Sequence, residues 1–122
     1  MPRWLLISLI IVAVIVVAIL VMPRQSHKGD PAKVERTFSA EEQSLIDSRT
    51  VTPEELAAND GLDGRPAWIA VNGVVYDVTE RWKEGRHHGL PAGRDLTEEF
   101  INSGHPGSVL PKMKVVGSFA HS

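Results

Sequence analysis

Ala67-Trp68-Ile69-Ala70-Val71-Asn72-Gly73-Val74-Val75-Tyr76-Asp77-Val78 reads as a β-hairpin. Asn-Gly supplies the two positive φ angles of a type I′ turn, and the flanking runs are rich in β-branched and aromatic residues. Upstream, Thr52-Pro53-Glu54-Glu55 predicts a helix start. Thr52 can cap it, Pro53 suits its first position and Glu55 can reach back. That helix should end near Ala58, before Asn59-Asp60-Gly61. Ser39-Ala40-Glu41-Glu42 has capping-box spacing and predicts a short helix over 40–48. Downstream, Trp82 opens a helical or turn region, and Gly85 to Gly93 reads as a loop. Asp95 to Ile101 predicts a helix with Leu96, Phe100 and Ile101 on one side, followed by a second loop over 102–107. Pro111 interrupts Val109 to Met113, and Val115-Val116-Gly117 reads as a short closing strand.

Apolar residues, 43% of the 122, are unevenly spread. From Trp4 to Met22, 18 of 19 residues are apolar, Ser8 being the exception. As a helix, Leu5 to Met22 would be about 27 Å long, close to the roughly 30 Å hydrocarbon core of a bilayer. Arg3 and Arg24 bracket the run, and Trp4 sits where an interfacial aromatic belongs. A cleaved signal peptide would carry a shorter apolar run and a small-residue cleavage site, which Ile19 to Arg24 does not offer. The expected division is therefore a transmembrane anchor over 1–23, a juxtamembrane linker with a short helix over 24–49, and a domain over 50–122. Arg24, Lys28, Lys33 and Arg36 favour a single-pass protein whose domain lies on the cytoplasmic side. Residues 4–22 would contact the lipid bilayer.

Zero cysteines exclude disulfides, iron–sulfur clusters, Cys-ligated zinc and covalent c-type haem attachment. A net charge of −2 gives no indication of a nucleic-acid partner. A domain of some 70 residues is marginal for a self-sufficient core and would be stabilised by an apolar cofactor. Of five histidines, His27 and His121 lie in the linker and the tail. His87, His88 and His105 sit in Gly/Pro-rich loops at opposite ends of the predicted 95–101 helix. They could converge on one metal, or be ordinary surface histidines; spacing leaves both readings open. Asp95, Glu98 and Glu99, like Glu80 and Glu84, read as solvated acidic turns. No Gly-rich phosphate loop follows a strand, and no nucleophile turn surrounds Ser108. No enzyme activity is expected.

Thr52-Pro53-Glu54-Glu55-Leu56, Trp68 to Gly73, Val75-Tyr76-Asp77-Val78-Thr79, Trp82, Gly85-Arg86-His87-His88-Gly89, Ala92-Gly93-Arg94-Asp95-Leu96-Thr97, Gly104-His105 and Val115-Val116-Gly117 occur in an order that resembles the cytochrome b5-like haem-binding domain. The resemblance spans about residues 50–119 and is greatest to the short prokaryotic branch with an N-terminal membrane anchor. It implies a small α+β domain in which a mixed sheet supports two helix–loop–helix pairs around non-covalent haem b. It also implies one histidine ligand from each pair. Carried over, these are His105 and, by the pattern Gly85-x-His87-x-Gly89-x-x-Ala92-Gly93, His87. The His-Pro-Gly-Gly familiar at the first ligand is missing. His88 is the alternative, because the similar progesterone-receptor-like membrane branch has a tyrosine ligand there. Leu90, Leu96, Phe100, Ile101, Val109, Leu110 and Met113 are the candidate haem walls. The function implied is a non-catalytic, membrane-anchored one-electron carrier serving a membrane-associated redox partner. The alternative is a non-redox module binding haem or a steroid-type lipid, as in the steroid-receptor-like branch.

Overall fold

The computed structural model describes residues 28–120. The predicted anchor over 1–23 lies outside them, and no described helix is long and apolar enough to cross a membrane. The predicted hairpin forms β2 (Trp68–Val71) and β3 (Val74–Asp77), with Val71 opposite Val74. Asn72 and Gly73 have φ of 48° and 80°, as a type I′ turn needs. β1 (Thr50–Val51) and β7 (Lys114–Phe119) extend this pair on one side, and β6 (Arg94–Asp95) on the other. The resulting mixed sheet has the order β1-β7-β3-β2-β6, with β1 parallel to β7 and β6 parallel to β2.

Side chains alternate across the sheet, and both faces are covered. Trp68, Ala70, Val75 and Val116 pack with Val51 and Leu56 on one face. Ile69, Val71, Val74, Tyr76 and Val115 form the other, with Leu96 and Leu110. Leu56 lies on α2 (Pro53–Ala58), where the Thr52 hydroxyl accepts from Glu55 N at 3.1 Å. Glu55 does not reach back to Thr52; its carboxylate meets the Arg49 guanidinium at 3.2 Å.

Two Asp-x-Thr clamps hold the ends of β2. Asp77 accepts from the amide and hydroxyl of Thr79, whose oxygen accepts from Ala67 N. Asp95 does the same for Thr97, whose oxygen accepts from Asn72 N. This corrects the predicted 95–101 helix. Arg94 and Asp95 pair with β2, and the helix α3 is confined to Thr97–Ile101. An open strand edge beside Ala70 outcompetes one further turn of local helix.

Within the stretch read as a juxtamembrane linker, the described residues fold onto the domain from Gly29 onward. A 3-10 turn covers Pro31–Val34, and α1 covers Ala40–Ser48 with the predicted Ser39/Glu42 capping box. The Arg36 side chain is 8% exposed and is bidentate to Glu42 at 2.8 and 3.0 Å. It also donates to Leu110 O at 3.3 Å and Tyr76 OH at 3.4 Å. The Ser39 N–H, and then Arg36, hold the Glu42 carboxyl below its ordinary range against partial burial. Because its folded pKa is lowered, its contribution to stability is complete at neutral pH and fades as pH falls through the carboxylate range. Glu42→Gln should cost about 1–3 kcal/mol at pH 7. Urea unfolding should show the gap between wild type and variant closing in acid.

Candidate functional site

His87 ends β4 (Arg86–His87), which pairs with β5 (Leu90–Pro91) in a small separate hairpin. His88 and Gly89 turn it, with φ of 48° and 81°. The chain therefore repeats the turn geometry of Asn72-Gly73 where a loop, and by resemblance a helix pair, was expected. The span from Gly85 to Gly93 is too short for two helices, and the backbone bond from Ala92 N to Gly85 O (2.7 Å) closes it. The second ligand region keeps the expected form: α3, a loop bearing His105, and a 3-10 helix over Gly107–Lys112 that absorbs Pro111.

These two regions bring three imidazoles together. One ligand-capable atom from each of His87, His88 and His105 lies within 4.8 Å of the others. The His87 and His105 rings are 5.8 Å apart and within 28° of parallel. His88 is 6.2 Å from His105 and tilted by 41°. In an extended strand, adjacent side chains point to opposite faces. Here the left-handed backbone at His88 swings its ring back to 4.2 Å from His87, edge to face. Trp82 stacks on His87 at 5.3 Å. No hydrogen bond engages the three side chains among the described residues, and stacking orients His87. Burial, then His88 and His105, push the His87 pKa below its ordinary value. The neutral imidazole, the form that binds metals, is thereby favoured.

Two apolar cavities of about 220 and 110 Å³ adjoin the cluster. Ile69, Trp82, His87, Phe100 and His105 are common to both walls. Of the predicted wall residues, Phe100 lines both, Val109 and Met113 the larger, and Leu90 and Leu96 the smaller. Ile101 and Leu110 line neither and pack into the core. Sequence reasoning missed Ile69, Val71 and Trp82 as walls. Period-2 alternation in β2 was the available signal for the first two, since they share a sheet face.

This donor set fits a flat apolar group ligated through its metal. With metal–imidazole bonds of about 2 Å, two ligands across one ion stand about 4 Å apart. The three donor atoms lie within 4.8 Å of one another, and the walls offer contact area.

A family model described as cytochrome b5-like heme/steroid binding domain matches residues 52–120. Among solved structures, a cytochrome b5 domain protein from Hadesarchaea is 47% identical, with a TM-score of 0.56, over 59% of this chain and 99% of that one. A cytochrome b5 domain protein from Methanococcoides burtonii is 39% identical, with a TM-score of 0.57, over 60% of this chain and 99% of that one. No curated protein matches.

Proposed function

We infer a haem-carrying role from one premise: the chain belongs to the cytochrome b5-like heme/steroid-binding domain family. It is a cytochrome b5-like haem-binding domain. Within that family we read it as a haem b protein with bis-histidine ligation, working as a one-electron carrier and not as an enzyme. The observation that carries this reading is the convergence of imidazole donors, within 4.8 Å of one another, in an apolar cleft. A lipid-binding module would have no use for that cluster, so the same observation favours haem over a steroid-type ligand.

His105 would supply one ligand to the iron. His87 would supply the other, supported by its near-parallel ring, its stacking on Trp82 and its place in both cavity walls. His88 lines only the smaller cavity, and its exposed backbone position is a hairpin tip. Bound haem supplies reversible one-electron chemistry. Two strong ligands leave no position open for oxygen or substrate, which favours transfer over catalysis. The apolar walls would limit water around a bound metal and so influence its potential.

We place a membrane anchor over 1–23, with 4–22 in the bilayer on the strength of their composition, the domain on the cytoplasmic side and a membrane-associated redox partner. Visible spectroscopy of the purified full-length chain tests the core reading. Sharp low-spin bands in the reduced protein are expected. A chain supplied with haem that yields only free-haem absorption would sink it.

A further inference from the structure

The segment ahead of the family-matched stretch grips the loop that carries His105 at three points. Gly29 N donates to Ile101 O at 2.8 Å, at the loop's beginning. Lys33 Nζ donates to Ser103 O at 2.9 Å and approaches Ser103 Oγ at 3.4 Å. The backbone of Gly107, at the loop's end, lies so close to the Lys33 carbonyl that a Cβ there would collide with it. Ser103 Oγ in turn accepts from His105 N at 3.3 Å and donates to Phe100 O at 2.7 Å.

Lys33 is 7% exposed, and among the described residues no carboxylate forms an ion pair with it. Its ammonium lies 4.8 Å from the centroid of the Phe100 ring, which is a wall of both cavities. Burial works against the Lys33 charge and Asp30 supports it without a direct ion pair; an apolar side chain of the same length would fill the slot more cheaply. The charge therefore stands where stability alone would not put it.

We propose that Lys33 is a positioning residue for His105 and a fixed positive charge behind the Phe100 wall, setting both haem retention and midpoint potential. The proposal rests on the haem reading above. A nearby cation favours the reduced, less positive iron, so it raises the potential, and a buried charge is little screened by salt.

The test uses the full-length, haem-loaded chain. Lys33→Met keeps the apolar stem and removes both the charge and the hydrogen bonds. It should release haem to apomyoglobin about tenfold faster, the equivalent of one charged hydrogen bond. Its midpoint potential should fall, and the fall should persist in high salt. Lys33→Gln keeps a donor without the charge, so its potential should fall while its release stays nearer to wild type. Ser103→Ala keeps the charge and loosens the loop, so release should quicken with little change in potential. A wild-type potential in Lys33→Met and Lys33→Gln overturns the charge role, even if their melting temperatures drop. If Lys33→Met does not fold, Lys33→Gln decides the potential, and a wild-type release rate in Ser103→Ala overturns the positioning. An unaltered chain that takes up no haem overturns the haem reading and this proposal together. A loaded wild type with unresponsive variants overturns this proposal alone.

Discussion

His105→Ala should strip the six-coordinate, low-spin spectrum from the haem-loaded protein, leaving a five-coordinate species or no bound haem. Among the described residues, His105 is the one histidine that the loop after α3 brings to the cluster. Binding to the native state adds about 4 kcal/mol at a thousandfold excess of ligand over its Kd. For a domain of this size, each kcal/mol moves the melting temperature by roughly 4–8 °C. Thermal melting with haem present should therefore separate the variant clearly from wild type. His87→Ala should behave in the same way, and His88→Ala should keep six-coordination. The comparison is needed because His87 and the exposed His88 both bring a donor atom to the cluster. If His88→Ala is the variant that loses its haem, the ligand lies one residue further on. The non-redox reading would then gain ground.

Truncation at residue 49 should be the second large effect. A fragment over 28–122 keeps every bond and core contact named above for the described residues. Removing 1–49 takes Val34 from the core, the bonds from Arg36 to Tyr76 and Leu110, and α1 from its place against β7. Losing one buried aliphatic side chain costs about 2–3 kcal/mol. The Arg36 bonds add about 1–3 kcal/mol. Against the 5–15 kcal/mol typical of whole domains, a melting temperature tens of degrees lower is expected for 50–122 than for 28–122. Circular dichroism melts of the two fragments would check this. Equal melts would mean that the segment merely rests on the surface.

Features that depend on a few neighbouring residues were legible without a structure. Asn72-Gly73 specified its turn because positive φ is a local property. Ser39 and Thr52 started their helices because a cap satisfies backbone donors two or three residues away. The order of motifs from Thr52 to Gly117 was enough to point to the family and to name His87, His88 and His105.

What remained was decided by partners far off in the chain. Asp95 is a strand residue because Ala70 offers it an edge. His88 joins the cluster because the hairpin that carries it turns left-handed beside a loop 17 residues away. Lys33 and Arg36 look like solvated linker cations next to an apolar run. They are buried because Ser103, Tyr76 and Leu110 supply acceptors 70, 40 and 74 positions away. A charge pattern cannot reveal such acceptors, because carbonyls belong to every residue and only the folded chain determines which of them a cation meets.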